Sequence, residues 1–221
     1  MPVIGTNTAA NSSLIYLNKN SRMQDKSLAK LSSGSRIVRA SDDAAGLAVA
    51  SRLQANVTTL RQSATNGVQA RSLLQTADGA LARIGDILQR MKALATQSNS
   101  GAVDATARGF INTEYQQLLT EITDTVTATT FNGTALINGT FNQNFQVGIS
   151  ATSVIVTNLT TVNATTATLT VAGTSVTTAP LAVTASGALD TAINSISTSR
   201  ATIGAFISRF EYRGDVVDTQ T

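Results

Sequence analysis

The sequence predicts a mainly α-helical fold with a small β region. Long antiparallel coiled-coil helices from the N- and C-terminal flanks are expected to carry a β-hairpin-rich insertion between them. Apolar residues recur every seven positions in both flanks, which is the spacing of a coiled-coil seam. No charged residue occurs from Thr125 to Leu189, a 65-residue span rich in Thr, Ala, Val, Asn and Gly, and this composition favours strands and turns over helix.

Composition excludes the kinds of catalytic and metal site that depend on Cys or His, and the 13 acidic residues are a thin supply for an enzyme based on carboxylates. The 221 residues include no Cys and no His, which excludes disulfides, thiolate metal sites, His-based catalytic triads and zinc-protease motifs. The net charge is only +3, the basic residues are scattered and 4% of residues are aromatic, which does not favour nucleic-acid binding. No apolar run approaches the ~18 residues of a membrane helix. We therefore predict a protein that is not an enzyme, with no metal, cofactor, nucleic-acid or membrane partner.

The N-terminal segment, residues 1–43, carries a weak form of the seven-residue repeat. Its apolar positions are Leu14, Leu17, Leu28 and Leu31. The intervening Ser21 and Gln24 are polar, so a helix here is marginal by itself. We expect it to be disordered or marginal in a monomer and ordered by neighbouring copies. The alternative is an ordinary amphipathic helix on the common core. Residues 1–7 lack the basic start and apolar core of a cleaved signal peptide.

The helical segments, residues 44–130 and 187–221, carry the clear repeats. One long helix is expected over residues 47–96, and a third helical stretch is expected to start near Asp104 and fold back antiparallel on it. The C-terminal flank repeats the pattern and needs a partner, which the long helix offers. The predicted seam comprises Leu53, Leu60, Leu74, Leu81 and Leu88 in the first flank, and Leu189, Ile196, Ile203 and Phe210 in the second.

The uncharged middle, residues 131–186, is predicted to be rich in β structure. Asn-Gly pairs at residues 132–133 and 138–139 lie between short apolar pieces, as in hairpin turns. Strands are expected within residues 141–147, 154–156 and 169–171. The alternative is a flexible low-complexity spacer. The Asn-x-Ser/Thr triplets of this segment are interpreted as turns and not as glycan sites.

The most specific motif spans residues 31–48, LSSGSRIVRASDDAAGLA. Gly34 predicts a helix break, and Ser41 or Asp42 predicts the N-cap of the next helix. Arg36 and Arg39 are suited to bridging carboxylates of a neighbouring chain.

This motif resembles the N-terminal region of bacterial flagellin. The resemblance continues through residues 89–98 (QRMKALATQS), 131–134 (FNGT) and 145–148 (FQVG), and it resumes at residues 199–205 (SRATIGA). It covers about residues 1–148 and 187–212.

The resemblance implies a structural subunit that self-assembles into the flagellar filament for swimming motility. It implies a homo-oligomeric, extracellular protein, exported by the flagellar type III apparatus with a chaperone and without signal cleavage. Residues 1–43 would form an inner-tube helix, residues 44–130 and 187–221 a helical rod, and residues 131–186 an outward-facing variable region. Subunit-packing contacts are then expected at the seam residues and at Leu31, Arg36, Ile37, Asp42 and Asp43. The alternatives are a hook–filament junction protein of the same superfamily and a surface adhesin.

Two further expectations follow from the resemblance. Family members recognised by a vertebrate innate immune receptor carry contact residues that correspond to Arg90, Leu94, Gln97 and Glu114, and all four types are present here. The family also usually continues for several dozen residues beyond the position of Thr221, into a second inner helix. We therefore expect a chain without that helix to stay monomeric where a full-length relative polymerises.

Overall fold

The computed structural model describes Gly5 and residues 7–220. Residues 1–4, Thr6 and Thr221 lie outside the described residues. The outer ends of the predicted segments 1–43 and 187–221 therefore fall there. So do most of residues 1–7, which the sequence predicts not to be a cleaved signal peptide. The chain divides into two compact units, Met1–Asn56 and Val57–Thr221. Helix α2, defined below, contributes residues to both units, and each unit is described by itself.

The first unit contains helix α1, Thr8–Ser33, and the start of α2. Asn7 caps α1 by accepting a hydrogen bond from the Ala10 amide at 3.1 Å. Gly34 ends the helix in the left-handed conformation with φ of 64°, as the sequence predicts for a break at this position. No residue of α1 is buried. Helix α1 is therefore formed, and none of its side chains is buried within the first unit.

The second unit is built around three helices, which are α2 (Ala44–Ser98), α3 (Ala105–Ala128) and α4 (Ala179–Asp218). Asp104 caps α3 at the predicted position, with its carboxylate 2.7 Å from the Ala107 amide. Arg108 on α3 donates to the Ser98 carbonyl at the end of α2, and further along the same pair Glu114 meets Arg90, so α3 runs antiparallel to α2. These long helices with small hairpins between them confirm the predicted fold class.

Helix α4 also runs antiparallel to α2. Lys92 pairs with Asp190 in the first part of α4. Asp78, which comes earlier in α2, pairs with Arg200, which comes later in α4. Helix α4 begins at Ala179, eight residues before the segment expected from the heptads. Thr178 caps it, its hydroxyl accepting from the Leu181 amide, and Pro180 lies in the first turn.

The segment between α3 and α4 contains four short strands. They are β1 (Thr130–Phe131), β2 (Thr134–Ala135), β3 (Asn142–Gln146) and β4 (Val154–Asn158), paired antiparallel as β1–β2 and β3–β4. The Phe145 ring on β3 meets the Phe210 ring on α4 edge to face, with centroids 5.7 Å apart. The second hairpin is thereby held against the end of α4.

The strand predicted over residues 169–171 is wrong. That stretch forms turns, with Thr170 in the left-handed conformation at φ of 58°. Its apolar side chains are nevertheless buried, together with others of the uncharged middle: Leu136, Ile137, Leu159, Val162, Leu169, Val171 and Val176. A short apolar run between turns cannot be distinguished from a strand by its pattern alone. The burial also argues against the flexible-spacer alternative.

The last part of this segment is fixed to α3 by hydrogen bonds. Asn112 accepts from the Val176 amide at 3.0 Å, and the Tyr115 hydroxyl lies 2.7 Å from the Thr174 hydroxyl. Burial raises the pKa of Tyr115, and the hydrogen bond to Thr174 opposes that rise. Ser98, at the end of α2, donates to the Val176 carbonyl.

Candidate functional site

The exposed face of α1 is the strongest candidate for an interaction surface in the first unit. Leu14, Leu17, Leu28 and Leu31 lie on one side of the helix, since their spacings of three, eleven and fourteen residues return to the same face. Each is between 55% and 84% exposed. We call this set the leucine face.

Basic residues occupy the opposite side of α1. They are Lys19, Arg22, Lys26 and Lys30, whose spacings of three, four and four residues place them on a single helix face. The loop that follows α1, residues 34–43, folds back onto this basic side. Asp42 is reached there by Lys26 at 2.5 Å and by Lys30 at 3.9 Å. The loop therefore covers the charged side of α1 and leaves the leucine face open.

Asp42 is held by the loop as well as by α1. The backbone amides of Val38 and Arg39 each donate to its carboxylate at 3.4 Å, and the side chain is only 5% exposed. The hydrogen bond from Lys26 lowers the pKa of Asp42 to about 2, and the two amide donors add to this effect. The charged form of Asp42 is thus the form that fastens the loop to α1.

Asp43, and not Ser41 or Asp42 as predicted, caps α2. Its carboxylate accepts from the Gly46 amide at 2.9 Å, which is the position three residues into the helix. A Cβ on Gly46 would lie 2.4 Å from the Asp43 carboxylate and 3.1 Å from Ile37. The predicted positions lie one and two residues before the cap, because Ser and Asp are both preferred capping residues and local sequence does not distinguish among Ser41, Asp42 and Asp43.

The other residues expected in subunit packing fall into buried and exposed groups. Arg36 is exposed and Ile37 is half-buried. Leu53 is 58% exposed, unlike the rest of the predicted seam. The buried seam residues are Leu60, Leu74, Leu81, Leu88, Leu189, Ile196, Ile203 and Phe210. These eight lie within the second unit, where they bury α4 against α2.

The four residues expected at a receptor contact are not equally accessible. Arg90 and Glu114 form an exposed pair, with Nη2 and Oε1 2.6 Å apart. Gln97 is exposed as well. Leu94 is 2% exposed and belongs to the core between the helices. Three of the four side chains are therefore available to a partner, and Leu94 is not.

A row of ion pairs between α2 and α4 was not predicted from the sequence. Arg71, Asp78 and Lys92 pair with Glu211, Arg200 and Asp190. Position 85 of the same lattice is Gly, where a Cβ would lie 3.9 Å from Ile196. The signal was present in the sequence, because positions 71, 78, 85 and 92 are seven apart and therefore share one side of the α2 seam.

Within the described part of the chain, no three His, Cys, Asp or Glu residues are grouped so as to hold a metal ion. No helix in that part is long and apolar enough to cross a membrane.

Comparisons with known proteins give one consistent result. A family profile described as the bacterial flagellin N-terminal helical region matches residues 4–142. The flagellin of Halalkalibacterium halodurans is 36% identical over 194 residues, which cover 87% of this chain and 71% of that protein. The crystal structure of Bacillus cereus flagellin matches with a TM-score of 0.61 and 32% identity, covering 69% of this chain and 88% of that one.

Other relatives are considerably longer than the matched region. The flagellin of Clostridium tyrobutyricum is 42% identical over 137 residues, which cover 62% of this chain and 36% of that protein. Flagellin A of Vibrio cholerae is 39% identical over 162 residues, covering 73% of this chain and 43% of that protein. The chain thus spans less than half the length of these two relatives.

Proposed function

Because this chain belongs to the bacterial flagellin family, we propose that it is a structural subunit that self-assembles into the flagellar filament and serves swimming motility. The proposal places the protein outside the cell, in the filament. Membership of this family also agrees with the prediction that the chain is not an enzyme.

The exposed leucine face of α1 carries the proposal. A 26-residue helix without one buried residue gains little from its own fold, because helices in proteins are stabilised mainly by packing of an apolar face. Burying one leucine side chain contributes about 1.5–3 kcal/mol. Contact with further copies of the chain would supply that burial for all four leucines. The loop anchored by Asp42 supports this reading, since it occupies only the basic side of α1.

The domain roles follow from the same proposal. Residues 1–43 form the inner-tube segment of the filament, and residues 44–130 with 187–221 form the surrounding helical layer. Residues 131–186 face outward, although their last eight residues belong to α4. The accessible residues Arg36 and Leu53 are available for contacts between subunits, whereas the buried seam holds the subunit itself together.

The remaining partners are extensions of the family assignment. Export by the flagellar type III apparatus with a chaperone is proposed for the route out of the cell. Contact with a vertebrate innate immune receptor is proposed at Arg90, Gln97 and Glu114, which lie exposed or half-exposed on neighbouring turns of α2 and α3.

Co-assembly with a relative tests the main proposal. The chain has no Cys, so an Ala151→Cys variant takes a single fluorophore at an exposed turn. The labelled chain is mixed with monomers and short filament seeds of the Halalkalibacterium halodurans flagellin, and the filaments that grow are pelleted and imaged by electron microscopy. Label distributed along the new filament supports the proposal. Label confined to the supernatant contradicts it.

A matched pair of variants makes the test specific to the leucine face. Leu14→Ser with Leu17→Ser removes half of that face, and Lys19→Ser with Arg22→Ser makes two changes of similar helix propensity on the basic side. Incorporation should fall strongly for the first pair and little for the second. Equal loss in both would show that helicity, and not the leucine face, governs incorporation.

A further inference from the structure

Three Asn-Gly dipeptides occur in the chain, in three different environments. They are Asn66-Gly67 within α2, Asn132-Gly133 in the turn between β1 and β2, and Asn138-Gly139 before β3. An asparagine side chain is attacked by the next backbone nitrogen most readily when the next residue is glycine, because glycine has no Cβ to obstruct the approach. The three sites therefore share one chemistry and differ in how firmly the fold holds them.

Asn66 is held at both ends of its side chain. Its Nδ2 donates to the Gln146 carbonyl at 3.1 Å, and its Oδ1 accepts from Gln62 Nε2 at 3.1 Å. The amide of Gly67 lies inside α2, far from either end of the helix. Attack at Asn66 would require local unfolding of the helix.

Asn138 is held by its own turn and by a neighbouring segment. Its Oδ1 accepts from the Thr140 hydroxyl at 2.7 Å and from the Thr140 amide at 3.1 Å. The backbone of Asn138 bridges that of Asn163, and a Cβ on Gly139 would lie 2.9 Å from the Asn163 side chain. Cyclisation here would break these contacts inside a tightly packed region.

Asn132 has neither the side-chain hydrogen bonds nor the surrounding structure that hold Asn66 and Asn138. It is exposed, and within the described residues its side chain makes no hydrogen bond. Asn132 and Gly133 have φ of 48° and 77°, and a Cβ placed on Gly133 would meet nothing within 4 Å. The turn joins strands of only two residues each, so little structure is lost when it opens.

We propose that Asn132 is a site of spontaneous deamidation in the folded protein. The Gly133 amide nitrogen attacks the side-chain carbonyl carbon of Asn132, a C–N bond forms, and the side-chain nitrogen leaves as ammonia with the amide proton. Water then opens the cyclic imide at either carbonyl, which yields aspartate or isoaspartate. No oxidant, metal or enzyme is needed.

The product would change this region in two ways. A carboxylate at position 132 would be the first charge in the otherwise uncharged span from Thr125 to Leu189. Isoaspartate would also add a methylene to the backbone of a two-residue turn, and the register Phe131↔Thr134 depends on the length of that turn. The modification would therefore loosen the β1–β2 hairpin.

Peptide mapping of the full chain tests the proposal with internal controls. The folded protein is incubated at mildly alkaline pH in heavy-oxygen water and then digested with chymotrypsin, which cleaves after Phe131, Leu136 and Phe141. Asn132 and Asn138 fall into separate peptides, residues 132–136 and 137–141. We expect heavy-oxygen label in the first at a rate at least about tenfold above the second, the factor that ~1.4 kcal/mol of opening free energy produces. Asn66 should also be slow.

Two further measurements separate the effect of the fold from that of the local sequence. In urea the deamidation rates at Asn132 and Asn138 should converge, because both asparagines are followed by Gly and Thr and then by an apolar residue. Thr140→Val removes the hydroxyl donor to Asn138 and should accelerate reaction there without changing Asn132. The proposal is overturned if Asn138 or Asn66 reacts as fast as Asn132 in the folded chain, or if Asn132 reacts only in urea.

Discussion

Arg200 on α4 donates two hydrogen bonds to the carboxylate of Asp78 on α2, although 122 positions separate them in the sequence. The Nε–Oδ1 distance is 2.8 Å and the Nη2–Oδ2 distance is 3.3 Å. The hydrogen bond that Arg200 donates to Asp78 raises the pKa of the Arg200 guanidinium, so this side chain stays charged. This pair joins the two flanks of the chain and fixes the register in which α4 lies along α2.

Removing this pair should cost little stability and should do so in a salt-dependent way. Both side chains are more than one-third exposed, and exposed ion pairs contribute about 0.2–1 kcal/mol. We expect Arg200→Ala to lower the free energy of unfolding by an amount in that range, with Arg200→Lys intermediate because the two-point contact is lost. A double-mutant cycle with Asp78→Ala in urea, at low and high salt, measures the coupling. A coupling of zero at low salt would contradict the assigned contact.

The Asp42 anchor should make the first unit sensitive to acid. Its pKa is about 2 in the folded chain against 3.8 in the unfolded chain, so its contribution is fully present above pH 3.8 and is lost as the pH falls through about 2. Hydrogen exchange of the Val38 and Arg39 amides, which donate to Asp42, reports this directly. Asp42→Asn should expose both amides at neutral pH and remove the acid transition. Unchanged protection in the variant would show that the loop is held by other contacts.

Gly148 should tolerate no side chain, whereas a helical glycine elsewhere should accept one. A Cβ at Gly148 would lie 2.7 Å from Ser153 Cβ and 2.9 Å from Arg213 Nη2. Gly148→Ala should therefore destabilise the protein by about 1–3 kcal/mol, as overpacking does. Gly204→Ala, in α4 with nothing within 4 Å, should stabilise it by up to about 1 kcal/mol. Urea unfolding of both variants gives the comparison, and effects of equal sign would contradict the packing described for Gly148.

The buried hydroxyl of Thr157 should slightly lower the free energy of unfolding, because it has no hydrogen-bond partner within the described residues. Its Oγ1 is inaccessible and has no hydrogen-bond partner within the described residues, while the residue is 0% exposed. Thr157→Val keeps the branched shape and removes the unsatisfied group, so we expect stabilisation of about 1 kcal/mol. Thr161→Val, at an exposed position, should stay within about 0.5 kcal/mol of the parent. A rise in melting temperature for Thr157→Val alone is the expected outcome. A fall would indicate a water partner for the hydroxyl.

The paired flanks could be predicted because a heptad seam is a local, periodic signal. The seven-residue spacing of Leu74, Leu81 and Leu88 predicts the buried side of α2 from sequence alone. The same spacing of Ile196 and Ile203 predicts a second apolar helix face that must pack against the first. The start of α3 could also be predicted from a local signal, because Asp is a preferred helix-capping residue and Asp104 directly precedes the helix.

Other features depend on contacts between distant residues. The pairing of Lys26 with Asp42 requires the loop after Gly34 to fold back on α1, and no local pattern specifies that direction. The turns around Thr170 are stabilised by burial of Leu169 and Val171, although the same residues in the same order would suit a strand. The start of α4 at Ala179 is indicated by the capping residue Thr178 and by Pro180 in the first turn. The prediction relied instead on the seven-residue repeat, whose first assigned residue in this flank is Leu189.

The central claim is that the leucine face of α1 is open in the isolated chain and covered when subunits assemble. Single-cysteine variants at Leu17 and at Lys19, on opposite sides of α1, measure this by their rates of maleimide labelling before and after incorporation into growing filaments. Both cysteines should react quickly in the free chain. In the filament, labelling at position 17 should fall far more than labelling at position 19. Equal reactivity at position 17 in the free and assembled states would contradict the account.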